Sequence, residues 1–355
     1  DTITVKLFDI FSNVAVSSGV TTIDLETDDA SGVFRNQANT GNITQVTIAD
    51  GDSIAVFRYT STSTGNHEIT VSDNAEVIKE ASQNITVNAM AASKIVIVTP
   101  EHEISAGDTS DIITLQLQDD YDNPATRGVN TVISLESDLT GVFRNALNDS
   151  DIEEVIIPSS ESEISFRYTS TVAGIHTLSV NDTVTVDPLP GDSQEITVNP
   201  LAPDTVVFTT EPHTISAGDT SDIITIQLRD IYNNVATSNG GTTFSLETDL
   251  AGVFRDSSNE NNITEVTIPD SESEVDFRFT STTAGIHELT VSDNAETDPL
   301  SAINQNLTVN PLNANKISFI TPQDTIAAGG TSDIITIQIQ DEYGNEIAST
   351  GETTV

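Results

Sequence analysis

The sequence predicts an all-β chain of tandem β-sandwiches, and three observations carry that prediction. A strand-and-turn motif returns at a fixed interval, apolar residues between its copies alternate with polar ones, and no stretch keeps the 3.6-residue period of an amphipathic helix. The segment SDIITLQLQDDYDNPAT at Ser110 recurs as SDIITIQLRDIYNNVAT at Ser221 and SDIITIQIQDEYGNEIAS at Ser332, at intervals of 111 residues. Asp1 opens the same motif as DTITVKLFDIFSNVAV. Other markers keep the beat: GVFR at Gly32, Gly141 and Gly252, FRYT or FRFT at Phe57, Phe166 and Phe277, the Gly-x-His motif at Gly65, Gly174 and Gly285, and (I/L)TVN at Ile85, Ile196 and Leu307. A unit of this length is an ordinary domain, so the expected units are 1–89, 90–200, 201–311 and the start of a fourth over 312–355.

Within the second unit, strands are expected near 94–99, 111–118, 131–136, 152–157, 163–169, 175–180 and 194–199, separated by turn-rich segments such as DYDNPATRG and STVAG. In the third unit Ile224, Ile226 and Leu228 alternate with Thr225, Gln227 and Arg229, the mark of a half-buried strand. Seven short antiparallel strands in one unit describe a Greek-key sandwich of immunoglobulin type, free of disulfide and tryptophan, with Phe143, Phe166, Leu178 and their repeats as core anchors. His67, His176 and His287 share the parity of the inward residues and are expected at the rim of each core, bonded to a nearby loop. His102 and His213 lie ahead of the core and are expected at the surface. Six arginines, Arg35, Arg144, Arg255, Arg58, Arg167 and Arg278, keep the repeat and are expected to point outward and pair with acids on adjacent strands, each pair contributing ~0 to 1 kcal/mol.

Composition narrows function. The chain carries 55 Asp and Glu against 12 Lys and Arg, a net charge of −43 over 355 residues. So few cations cannot line a phosphate-binding face, which excludes nucleic acid as a partner. No run approaches the roughly 18 apolar residues of a membrane span, so a soluble chain without direct membrane insertion is expected. With no Cys, disulfides, thiolate nucleophiles and Cys-ligated metals are excluded. There is no G-x-S-x-G elbow, H-E-x-x-H, P-loop or dinucleotide fingerprint, and a non-enzyme is expected.

The run FTTEPHTISAGDTSDIITIQLRDIYNNVAT followed by VTIPDSESEVDFRFTSTTAGIHELTV resembles the bacterial Ig-like repeats of invasin- and intimin-type surface proteins and other long adhesins. That resemblance covers nearly the whole chain and implies an extracellular, cell-surface location. It also implies a structural or adhesive role as stalk, fibre or filament component; the alternative is a module that recognises a glycan or protein through its loops. The connections NAMAASK, NPLAPD and NPLNANK are short and stiff, so successive sandwiches should abut as a rod-like array. The sequence opens at the second strand of a unit and stops partway through another, so the expected partners are neighbouring repeats or copies of itself in a longer array or filament. Six N-x-(S/T) sequons, with Asn42 and Asn262 in matching positions, accord with an extracellular surface.

Tracing a sandwich of this type brings three acidic loops to the pole facing the preceding unit. They carry Asp119, Asp120, Asp122 and Asn123, with Glu161 and Glu163, and Asp182, Asp187 and Asp192; then Asp230, Asn233 and Asn234 with Asp293 and Asp298; then Asp341 and Asn345. Hard oxygen ligands at an interdomain joint suit Ca2+, which would stiffen it. The competing expectation for the same residues is a solvated acidic surface that keeps the chain soluble.

Overall fold

The computed structural model describes residues 2–75, 77–297 and 299–348. Among these residues every regular element is a strand, so the expected tandem Ig-like β-sandwich class holds. The chain divides into two compact units. One is built of residues up to His102, Thr109–Thr169 and His176–Ile196, the other of Glu103–Asp108, Ser170–Ile175 and the chain from Thr197 onward.

The third repeat, which lies wholly in the second unit, shows the sandwich in full. One sheet runs from edge to edge as Thr205–Phe208, Ile224–Arg229, Glu274–Thr280, Val253–Asp256 and Asn262–Ile263. The facing sheet runs as Thr214–Ser216, Ile303–Asn310, Gly285–Asp293, Thr242–Thr248 and Glu265–Ile268. Pairing is antiparallel except where Thr214–Ser216 lies parallel to Ile303–Asn310. After Thr242–Thr248 the chain crosses to the opposite sheet as Val253–Asp256 and returns beside its starting strand as Glu265–Ile268. Alternation in the sequence fixes where the inward side chains fall: Ile224, Ile226 and Leu228 are buried, as are Phe277 and Phe279. They pack with Phe254, Phe244, Leu289, Val291 and Leu307 into one core. Phe254 meets Phe277 and Phe279 edge-on at 5.9 and 5.2 Å between ring centres. Full burial of each such ring contributes about 1.5 to 3 kcal/mol.

Seven strands per repeat are readable from period-two alternation, and the structure adds three. In the second repeat the additions are His102–Ser105, Val142–Asn145 and Asp151–Ile152. Each is too short to display a period, although Phe143 within the second of them is the expected core anchor and is buried. Phe166 and Leu178 are buried as expected. In that repeat Ile113–Gln118 pairs with both Lys94–Ile97 and Glu163–Thr169, matching the third. The first repeat has a three-stranded sheet (Ile3–Lys6, Ile54–Thr60, Val33–Asn36) and a four-stranded one (Gln45–Ile48, Thr21–Thr27, Gly65–Asp73, Ala81–Val87). In the fourth, Lys316–Phe319 pairs with Ile337–Gln340; residues 349–355 of the expected fourth unit lie outside the described residues.

The repeat-locked arginines differ from expectation. Arg144 pairs with Asp151, but Arg35 and Arg255 donate to the turn residues Asn39 and Asn259 and to Asn42 and Asn262. Arg167 and Arg278 donate to backbone carbonyls of Ala146 and Ser110, and of Ser257 and Ser221. A guanidinium supplies five donors in a fixed fork, and adjacent turns offer carbonyls at that spacing. His102 and His213, expected at the surface, are half-buried.

Candidate functional site

The same five-residue loop follows Ile3–Lys6, Ile113–Gln118, Ile224–Arg229 and Ile337–Gln340, and its chemistry is set by one aspartate. In Asp230-Ile-Tyr-Asn-Asn234 the Asp230 Oδ1 accepts the backbone N–H of Tyr232 and Asn234 at 2.9 and 2.8 Å, an Asx turn closed on its own backbone. Oδ2 accepts the Asn234 side-chain amide at 2.9 Å and the linker N–H of Leu201 at 3.0 Å. Asp119 receives the matching set from Tyr121, Asn123 and Met90, and Asp341 from Tyr343, Asn345 and Leu312. All three aspartates are almost wholly buried, at 1%, 1% and 0% exposure for Asp119, Asp230 and Asp341. Burial by itself would raise their pKa. The N–H donors, led by the Asn side chain, outweigh it and hold all three carboxyls below the usual carboxylate range.

The fourth loop position has a left-handed backbone in every repeat, with φ of 66° at Ser12, 67° at Asp122, 66° at Asn233 and 94° at Gly344, a conformation that Asn, Asp and Gly adopt at the least cost. The fifth position does the joining. Asn234 Nδ2 donates to Thr171 O at 2.9 Å, and its Oδ1 accepts Ala173 N–H at 2.8 Å, so one amide reads both polar groups of the Ser-Thr-Val-Ala-Gly turn in the preceding repeat. Asn123 makes the same pair with Thr62 and Thr64, and Asn345 with Thr282 and Ala284. The tyrosine adds packing: a Cβ at Gly107 would come within 2.5 Å of Tyr232 Oη, and one at Gly218 within 2.6 Å of Tyr343 Oη, so only glycine lets the ring lie this close.

The turn being read is ordered from inside by the repeat's histidine. His287 Nε2 lies 2.8 Å from Thr283 O and His67 Nε2 3.0 Å from Ser63 O, which makes Nε2 the donor and leaves Nδ1 an acceptor. In the second repeat that acceptor is met by Tyr168 Oη at 2.8 Å from His176 Nδ1, and the same hydroxyl meets Ser137 Oγ at 2.9 Å. His176 and His287 are fully buried, in line with their expected rim-of-core role. The turn ends in Gly174 or Gly285 at φ of 142° and 146°, a backbone conformation that disfavours a side chain.

The remaining expected metal-site residues have separate duties. Asp120 is exposed, and Asp122 pairs with Lys94. The Asn233 carbonyl accepts from Arg229. Asp182 is buried against Arg127 and accepts Val184 and Leu189 N–H groups, while the Asp187 carbonyl accepts the other arm of Arg127. Asp293 accepts Ala295 and Leu300 N–H groups. Asp298 lies outside the described residues. Among the described residues no three His, Asp or Glu side chains form a group placed to hold a metal ion. The buried carboxylates also do not fit Ca2+ as they stand, because each oxygen already faces the positive ends of N–H dipoles, whereas a cation requires free lone pairs. Sequence reasoning found the Asp and Asn positions, but it missed the Ser-Thr-x-x-Gly turn as their partner; the signal available was that both motifs recur together.

No protein-family model matches the sequence, and neither does any curated protein. Solved structures with similarity include bacterial invasin, described as an integrin-binding protein, at 16% identity and a TM-score of 0.35, covering 89% of this chain and 58% of that one. Yersinia pseudotuberculosis InvD aligns at 16% identity and a TM-score of 0.34 over 86% of this chain and 91% of its own. The S-layer protein SbsC aligns at 13% identity and a TM-score of 0.26, over 98% of this chain and 42% of its own. The chain therefore spans a little over half of the invasin chain and less than half of the S-layer chain that it resembles.

Proposed function

We propose that the chain is a non-enzymatic, load-bearing spacer of an extracellular surface protein, in which consecutive Ig-like repeats are locked to one another by a hydrogen-bonded clasp. The carrying observation is the threefold repetition of that clasp: a buried aspartate shapes the loop, and Asn123, Asn234 or Asn345 bonds both polar groups of the preceding repeat's turn. A loop free to bind varied ligands has no reason to spend the same two bonds three times. Two such bonds contribute about 1 to 3 kcal/mol per joint, enough to bias a short linker toward one arrangement.

Of the acids considered for Ca2+, Asp119, Asp230 and Asp341 act in this proposal as acceptors that shape the clasp loops. The experiment is amide exchange on the full chain and on its Asn234→Ala variant. Faster exchange at Ala173 and Leu201, with the core strands unchanged, supports the clasp; unchanged exchange at both amides overturns it.

A further inference from the structure

The loop before Thr242–Thr248 in the third repeat carries a self-reactive pair that its counterparts lack. Asn239-Gly240 is the single Asn-Gly step in the sequence. Ser18 and Gly128 stand at the same distance before their own strands, Thr21–Thr27 and Thr131–Ser137. Asn239 and Gly240 are exposed, and the Asn239 carboxamide has no hydrogen-bond partner among the described residues. Gly240 has φ of 84°, and a Cβ built on it would meet nothing within 4 Å, so no side chain crowds the main chain there. One contact holds its nitrogen: Gly240 N–H donates to Asp270 Oδ1 at 2.7 Å. The first repeat has the matching bond, from Gly19 N–H to Asp50 Oδ1 at 2.7 Å, so the carboxylate belongs to the fold and only the asparagine is added. Two further bonds tie the loop to the hairpin that carries Asp270: Ser238 N–H donates to Glu272 O at 2.8 Å, and Ser271 N–H to Ser238 O at 2.9 Å.

We infer that Asn239 is a self-modification site: it deamidates through a cyclic imide formed with Gly240, at a rate that Asp270 restrains. The Gly240 nitrogen gives its proton to solvent base and attacks Asn239 Cγ. The new N–Cγ bond closes a five-membered ring as the Cγ–Nδ2 bond breaks, and Nδ2 takes up a proton and leaves as ammonia. Water then opens the ring. Attack at Cγ yields aspartate, attack at the main-chain carbonyl carbon yields isoaspartate, and in both cases a hydrogen of the water returns to the Gly240 nitrogen. Nothing is oxidised or reduced, and water is the one co-reactant. The attacking form is an amide anion, so a carboxylate that accepts the N–H stabilises the protonated amide and repels the anion, as like charges at a shared site do. Asp270 therefore slows the ring closure. Either product places a new negative charge near Asp270, and isoaspartate also adds one carbon to the main chain between Ser238 and Thr242, which loosens the tie to Ser271. This goes beyond the spacer reading, because the loop takes part in no clasp and a failed clasp leaves its chemistry unchanged.

The test ages the full chain at mildly alkaline pH and maps its peptides by mass. The expected result is a gain of about one dalton at Asn239 ahead of every other asparagine, with part of the product accepting a methyl group from an isoaspartyl methyltransferase. Asp270→Ala, which removes both the bond and the charge, should raise the rate at Asn239 roughly tenfold. Asp270→Asn keeps an acceptor without the charge and should raise it less, while Asp50→Ala, which removes the matching contact in the first repeat, should leave it unchanged. Amide exchange at Ser271 should quicken in the aged chain and not in an aged Asn239→Ser chain. An asparagine elsewhere converting first, or conversion at the original rate or slower in both Asp270 variants, overturns the inference. Should Asp270→Ala quicken every asparagine alike, as an unfolded chain would, Asp270→Asn decides: a rise confined to Asn239 supports the inference, and its absence overturns it.

Discussion

Replacing Phe279 with tyrosine is expected to stabilise the third repeat by adding one oxygen atom. In the second repeat Tyr168 Oη bridges Ser137 Oγ and His176 Nδ1 at 2.9 and 2.8 Å. The third repeat has Phe279 at that position, and the corresponding Thr248 Oγ1 and His287 Nδ1 are both buried without a hydrogen-bond partner. Space for the oxygen is set by a glycine: a Cβ at Gly141 would lie 1.9 Å from Tyr168 Oη, and one at Gly252 would lie 2.2 Å from Phe279 Cζ. The aromatic neighbours sit alike, Phe143 at 5.1 Å from Tyr168 and Phe254 at 5.2 Å from Phe279 between ring centres. Two recovered bonds contribute about 0.5 to 1.5 kcal/mol each, so Phe279→Tyr should stabilise by about 1 to 3 kcal/mol, and for a domain of this size by roughly 4 to 12 °C in its own transition. Several repeats unfold in one chain, so a single global transition is the wrong readout. Amide exchange of the full chain resolves Leu289, on the histidine's own strand, and Leu307, paired opposite His287, and their protection should rise. Tyr168→Phe should cost a similar amount around Leu178. Unchanged or lower protection in Phe279→Tyr, or a Tyr168→Phe chain with no loss, would refute the account of the bridging hydroxyl.

Gly218→Ala should loosen the third joint by roughly 1 to 3 kcal/mol, because the added methyl meets Tyr343 Oη and the backbone there has φ of 88°; faster exchange at Ala284 checks it, and restoration by Tyr343→Ala separates the clash from the backbone strain. The clasp aspartates have lowered pKa values. Their contribution is therefore complete above the unfolded value of about 3.9 and is lost as pH falls through the lower folded value. Exchange at Met90, Leu201 and Leu312 measured from pH 6 to pH 2.5, corrected for intrinsic rates, should show joints holding well below pH 4; loosening that begins near pH 5 would contradict this. Melting curves in excess calcium and in chelator at matched ionic strength should coincide, while a large calcium-dependent rise would assign the joint to the metal instead.

What the sequence settles by itself is whatever depends on local period. Alternation in Ile224–Arg229 and Glu274–Thr280 sorts inward from outward side chains, and the 111-residue recurrence makes one reading serve every repeat. The core aromatics and the inward histidines are legible for the same reason. Val142–Asn145 and His102–Ser105 escape because four residues show too little period to announce a strand, and only pairing with a distant strand defines them. The acids show the same limit more sharply. An excess of Asp and Asn at one pole is visible in the sequence, but whether a carboxylate awaits a cation depends on which donors already face it. For Asp230 the linker donor comes from 29 residues away, and Asn234 finds its partners 61 and 63 residues away in another repeat. Hydrogen-bond satisfaction of a buried polar group is a property of the packed neighbourhood, and only the tertiary structure assembles that neighbourhood.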